Sequence, residues 1–370
     1  MSRRPLFAAL AAGLALSLVS IVVLGAEAGL RWRERNRETV PGSMESIFYT
    51  HDRLRHALIR KNNYFGWVQV NEHGMRGASR PLVPTPGTLR IMAVGASTTF
   101  DSYVTRDDLA WPARLEGELR ARMPARSNEV LNAGVPGYGV LDNTVRLQTE
   151  LHRFRPDVII LYHAHNNLFG ALRFGDPFPR QGDRTPGAAS TQTPWGRWLG
   201  THSLLYSKTR FLWAVRGLRE TGGAPDTERL AEEQRRIREG VERFTRDLTA
   251  FVLLAREFGI RVILPEVVHV SGAQRDSVSP AEAEIWRRST GATSARVVLE
   301  GYAAYNAAIA AVAERFGLPH IRTSSFGLAG VEWYAPDDPI HFNDRGAERM
   351  ATSMADALTS TAVLAADSAR

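Results

Sequence analysis

The sequence predicts an α/β protein in which a mainly parallel sheet is covered on both faces, a three-layer α/β/α sandwich preceded by one N-terminal transmembrane helix. Three observations carry that prediction. Short apolar strands alternate with helical stretches, the rhythm of a parallel sheet buried on both sides. Polar clusters follow one strand after another, at the carboxyl ends where open parallel sheets gather reactive groups. A length of 370 residues, 44% apolar and 23% charged, provides a sizeable core and fits one large domain with additions.

The first element is the N-terminal helix. Arg3 and Arg4 precede Leu6 to Ala26, a run without charge. About 20 such residues cross a bilayer, whereas the apolar core of a secretory signal is usually about 7 to 15. Length favours an uncleaved anchor over residues 1–30; the alternative is a cleaved signal, for which Ala26-Glu27-Ala28 offers a small-x-small site. Arg31, Arg33, Arg35 and Arg37 follow and partly oppose the leading pair under the positive-inside rule. No later stretch is apolar enough to span. The expected arrangement is a membrane-anchored protein whose body is periplasmic or otherwise extracytoplasmic.

Residues 31–88 read as an irregular lead-in rich in Asn, Gly and Pro. Leu89 to Val94 is the first strand of the body and ends in Gly95-Ala96-Ser97-Thr98-Thr99. Apolar positions three and four apart predict a helix over Trp111 to Met123. Glu129 to Ala133 is the second strand, ending in the loop from Gly134 to Gly139, and a helix follows across about 141–153. Asp157 to Tyr162 is the third, ending at His163-Ala164-His165-Asn166-Asn167. Residues 170–225 break the rhythm and carry Trp195, Trp198, Tyr206, Phe211 and Trp213. This insert is read as a lid or packed addition over the site, with a segment lying against the bilayer as the alternative. Helix returns across about 226–258 and 296–316, strands at Arg261 to Leu264 and near His320, and a final helix starts at Asn343 or Asp344. The body is thus expected at 89–360, with a tail at 361–370.

Composition removes several functions. Cysteine is absent, which excludes a disulfide scaffold, a thiolate zinc site and a cysteine nucleophile. The net charge of +7 comes almost wholly from arginine, since lysine occurs only at Lys61 and Lys208. The cations form no long basic run and no nucleic-acid motif accompanies them, so the excess is read as compositional bias, with an anionic lipid or glycan surface left open. His163 and His165 stand two apart with no carboxylate beside them. They do not make a metal pair, and His165 is read as a pocket wall. No metal or other cofactor is expected.

Four strand ends supply one constellation. Ser97 follows a strand and a glycine at a strand-to-helix turn. Asp338 and His341 stand three apart before the final helix, where an acid can fix the tautomer of an imidazole that takes a proton from serine. Asp337, four residues from His341, is a rival acid. Gly137 and Asn166 offer a backbone N–H and a side-chain amide to the charge that develops on an acyl oxygen.

The order Ser, Gly, Asn, Asp-x-x-His resembles the SGNH/GDSL hydrolase superfamily over roughly residues 67–358. It is most similar to a membrane-anchored bacterial subgroup in which Asn-x-x-Gly-x-Arg-Gly, here Asn71 to Gly77, precedes the serine block. The resemblance implies a flavodoxin-like fold, Ser97 as nucleophile, His341 as base, Asp338 as the acid that orients it, and an oxyanion hole of Ser97, Gly137 and Asn166. Two blocks depart from the pattern: Gly-Asp-Ser is Gly95-Ala96-Ser97, and Gly-x-Asn-Asp is Ala164-His165-Asn166-Asn167. Both missing acids are supporting residues. Position 99 is threonine, which disfavours the Gly-x-Ser-x-Gly elbow of α/β-hydrolases. The implied activity is hydrolysis of short-chain or carbohydrate O-acyl esters. The alternatives are O-acyl transfer to envelope glycans with the same residues, and a catalytically silent glycan-binding scaffold.

Overall fold

The computed structural model describes residues 4–35, 48–49, 57–58, 62–64, 68–175, 226–272, 278–290, 294–360 and the isolated positions 199, 203, 205, 206, 209, 292 and 364. Most of the 170–225 insert, with Trp195, Trp198, Phe211 and Trp213, lies outside the described residues. So do parts of the lead-in and, apart from position 364, the tail from 361.

Helix α1 (Arg4–Arg35) contains the apolar window Gly13–Trp32, with mean hydropathy 2.0 and none of it buried. Twenty residues at about 1.5 Å each reach roughly 30 Å, a bilayer's hydrocarbon thickness. Among the described residues this is one helix long and apolar enough to cross a membrane, as an anchor or as a signal sequence.

Short antiparallel pairs follow, β1 (Phe48–Tyr49) with β2 (Ala57–Leu58) and β3 (Asn62–Tyr64) with β4 (Val68–Val70). The main sheet is built from β5 (Leu89–Gly95), β6 (Asn128–Asn132), β7 (Val158–Tyr162), β8 (Arg261–Pro265) and β9 (His320–Ile321). All its neighbours run parallel, in the order β6-β5-β7-β8-β9. Every residue of β5 and β7 is buried, as expected for central strands with both faces covered. The chain goes from β5 to the edge at β6 and returns to β7 on the far side of β5. The topological switch point, the usual ligand position in such sheets, therefore lies at the ends of β5 and β7.

The helices are α2 (Ser97–Phe100), α3 (Trp111–Arg122), α4 (Val140–Thr149), α5 (His165–Phe174), α6 (Asp226–Glu257), α7 (Pro280–Thr290), α8 (Ala295–Phe316) and α9 (Asp344–Ser360). They fall into two groups that layer the sheet: α3 packs on α9, while α6 packs on α4, α5 and α8. Helix α9 shows why: Ala347, Met350, Ala351, Met354 and Leu358 recur at helical spacing and are buried. Each large side chain so buried contributes about 1.5–3 kcal/mol.

Several expectations are corrected. Helix α5 starts at His165, where a loop was expected, because Leu168, Ala171 and Leu172 are buried beneath the polar start. Helix α7 was not predicted, although Ser279 and Glu282 exchange backbone and side-chain hydrogen bonds in a capping box. Part of the lead-in is tied to the sheet: Val68 and Val70 are buried, and Arg76 bridges to Asn132 on the edge strand β6.

The arginine excess also has structural content. Arg90 is fully buried; its Nη1 donates to the carbonyls of Pro81, Leu82 and Phe154, while Nε and Nη2 hold Glu129. Arg146, likewise buried, donates to the carbonyls of Ala133 and Gly74. Only a guanidinium fork satisfies so many acceptors from one side chain.

Candidate active site

The site begins at the end of β5. A Cβ on Gly95 would collide with Thr99 Oγ1 and stand 2.6 Å from the Tyr162 carbonyl oxygen, so only glycine lets the turn close against β7. Ser97 then opens the single-turn helix α2. Its carbonyl accepts the N–H groups of Asp101 at 2.8 Å and Ser102 at 3.1 Å. Asp101 takes the left-handed conformation at φ 67° that ends the turn.

The second part is a loop closed by a bridge between Tyr334 and Phe342 and by the bond from Ala335 N–H to the His341 carbonyl. Asn343 caps the helix behind it by accepting the N–H of Gly346, which settles the start of α9 at Asp344. Within the loop, Asp338 Oδ1 accepts the N–H groups of Ile340 at 2.9 Å and His341 at 2.8 Å. Its Oδ2 lies 2.8 Å from His341 Nδ1. Burial pushes the Asp338 carboxyl up, but the His341 imidazole and these hydrogen bonds outweigh it and hold the carboxyl below the usual range. An ionised carboxylate only accepts, so Nδ1 carries the ring proton and Nε2 presents its lone pair. That lone pair meets Ser97, with Oγ at 2.8 Å. Asp337, the rival acid, is exposed at φ 60°.

The third part joins the loops after β6 and β7. Gly137 sits in a turn at φ 83°, a conformation that favours glycine. Asn166 lies in the first turn of α5, and its amide donates to the Tyr138 carbonyl at 2.9 Å. This bond ties the residue after Gly137 to Asn166.

His163 and His165 go separate ways. His163 Nε2 accepts from the Asn143 amide at 2.7 Å; that amide also donates to the Gly95 carbonyl at 3.1 Å, stitching α4 across the ends of β5 and β7. Burial pushes His163 down to about 3. His165 is 3% exposed, its Nδ1 is 2.8 Å from the Tyr302 hydroxyl, and burial holds it well below its usual value. It is a core residue rather than a pocket wall.

Sequence reasoning missed Asn143 as well as Asp344, whose carboxylate accepts the N–H and hydroxyl of Thr105 at 2.9 and 2.7 Å. It also missed Tyr103, whose ring centroid lies 4.9 Å from that of His341. None of these carries a motif.

Among solved structures, the chain is similar to an acetyl-xylooligosaccharide esterase from Geobacillus stearothermophilus, at 14% identity over 73% of this chain and 93% of that one, with a TM-score of 0.42. It is also similar to a GDSL-like lipase from Bacteroides thetaiotaomicron, at 13% identity over 75% of this chain and 91% of that one, TM-score 0.38. No curated protein matches it. The model of the GDSL-like lipase/acylhydrolase family matches residues 93–349, from within β5 through the Asp338–His341 loop into α9. That span holds most of the chain, so the chain belongs to the GDSL-like lipase/acylhydrolase family and is an ester-hydrolysing enzyme.

Proposed function

We propose that the chain is a serine esterase working through an acyl-enzyme on Ser97. As Oγ attacks the acyl carbonyl, its proton passes to His341 Nε2. Asp338 keeps the imidazole in the accepting tautomer and stabilises the imidazolium. The N–H groups of Ser97 and Gly137 and the Asn166 amide receive the oxyanion. Collapse expels the alcohol, which takes the proton from His341. Water, deprotonated by the same nitrogen, then attacks the acyl-enzyme, and release of the acid returns the proton to Ser97. The observation that carries this reading is the chain of two 2.8 Å contacts from Ser97 through His341 to Asp338.

The test is Ser97→Ala. Turnover of a short acyl ester and labelling by a fluorophosphonate are expected to vanish with melting temperature unchanged; a variant with full rate sinks the assignment.

The finer substrate reading is a short-chain or carbohydrate O-acyl ester. The half-buried Tyr103 ring beside His341 supports it, because a flat aromatic face near the reacting atoms suits the apolar face of a sugar. The exposed apolar surface of α1 supports anchoring at a membrane, and we place the body on the extracytoplasmic side. That placement favours a second reading, in which a glycan hydroxyl replaces water in the last step. Incubation with an acyl donor and a glycan separates the two: acylated glycan marks transfer, free acid alone marks hydrolysis.

A further inference from the structure

Arg76 lies ahead of the family-matched span, yet it reaches the turn that carries Ser97. Its side chain is 1% exposed. Nη1 donates to the carbonyls of Phe100 at 3.0 Å and Asp101 at 2.6 Å, Nη2 to that of Val104 at 3.2 Å, and Nε to Asp107 Oδ1 at 2.8 Å. The guanidinium also lies over the Phe100 ring, 5.4 Å from its centroid. Asp107 Oδ2 accepts the Gln69 N–H, which clips the same lead-in segment to the same loop.

These carbonyls matter because of where they stand. Those of Phe100 and Asp101 close the single turn that begins at Ser97, and a helix end leaves such acceptors without intrahelical partners. The Asp101 carbonyl also takes the Val104 N–H at 3.1 Å and that of Phe100 the Asn132 amide at 3.4 Å, so Arg76 adds a charged donor to each, and losing it would weaken the hold on the turn. The same loop meets the base on its other side: Tyr103 packs against the His341 ring, and Thr105 is bound by Asp344, three residues beyond His341. One loop, Asp101 to Asp107, therefore links the serine turn to the histidine loop, and Arg76 fixes its base.

We propose that Arg76 is a positioning residue that holds this loop, and through it keeps the Ser97 hydroxyl in register with His341. The proposal rests on Ser97 being the nucleophile. Lysine cannot take the role, because an ammonium lacks the planar fork that reaches three carbonyls and a carboxylate together. The buried carboxyl of Asp101 fits the arrangement: burial pushes it up to about 7, and the Arg76 cation is among the groups that oppose the rise.

A cavity of about 540 Å³ provides the test, because Arg76 lies in its wall with Asn71, Asp107 and Asn132. Removing the side chain opens the guanidinium position to a small cation entering from that cavity. In Arg76→Ala, kcat on a short acyl ester is expected to fall by about 100-fold with KM changed far less, as for a misplaced nucleophile. Guanidinium chloride below its denaturing range is expected to restore at least a tenth of the lost kcat, and equal sodium chloride to restore none. Arg76→Lys is expected to stay slow. Should Arg76→Ala fail to fold, Arg76→Gln takes its place with the same readouts. A folded variant with wild-type kcat overturns the proposal, as does a loss that guanidinium does not relieve. Ser97→Ala run alongside separates the two readings: if it keeps its rate, the nucleophile is wrong; if it is dead while Arg76→Ala is fully active, only the role of Arg76 falls.

Discussion

One carboxylate holds His341 twice: Asp338 Oδ1 accepts its backbone N–H and Oδ2 faces its ring Nδ1, both at 2.8 Å. Position and tautomer of His341 are thus set by a single side chain. Asp338→Asn keeps the size and can keep the backbone bond. It also offers an N–H to Nδ1, which drives the ring proton to Nε2 and leaves nothing to accept from Ser97. The expected result is a fall in kcat of about 10²–10⁴ with little change in melting temperature. Kinetics on a short acyl ester with a parallel melt check it, and an unimpaired rate refutes the orienting role.

The sequence exposed those parts whose physics is local. β5 and β7 are unbroken apolar runs because both faces are covered, and Gly95 marks the close approach that follows. Asp338 and His341 were readable because three residues separate them. What stayed hidden depends on distant partners: Arg76 acts across 24 residues, Asn143 across 48 and Asp344 across 239. No periodicity announces such contacts. The start of α5 was concealed by His165-Asn166-Asn167, weak helix formers overruled by the burial of Leu168 behind them. Reading the arginines as compositional bias hid Arg90 and Arg146, and the Asn71 to Gly77 segment marked Arg76 without its partners; each of the three binds main-chain carbonyls from a buried position.

Asp101 gives the fold a pH dependence of its own. Burial raises its carboxyl to about 7, against the Trp111 N–H at 2.7 Å and the charges of Arg76 and His341, while Asp344 adds to the rise. An unfolded aspartate titrates near 3.9. Between about 4 and 7 the folded state keeps a proton that the unfolded state has lost, so this group's contribution to stability declines as pH rises and stays low above 7. Asp101→Asn has no charge to bury, still accepts from Trp111, and tolerates the left-handed conformation. It is expected to gain stability over the wild type from pH 5 to pH 8, by on the order of 4 kcal/mol across the full titration. Melting temperatures of both proteins at the two pH values decide it; a constant difference would remove Asp101 as the cause.

Asn166 is coupled to the turn that holds Gly137. An amide nitrogen carries two hydrogens, and the 2.9 Å bond to the Tyr138 carbonyl uses one of them. That bond fixes the amide plane and directs the second hydrogen away from Tyr138. The bond also restrains the peptide after Tyr138, in the same turn as the Gly137 N–H, so one interaction couples two of the proposed oxyanion donors. Asn166→Ala then removes one donor and loosens another. The expected cost in kcat is about 10²–10³, the range for losing an oxyanion donor, with KM nearly unchanged because the charge arises only in the transition state. Asn166→Asp is expected to be at least as slow, since a carboxylate would face the developing oxyanion. Steady-state kinetics of both variants test this, and a loss confined to KM would assign Asn166 to substrate binding instead.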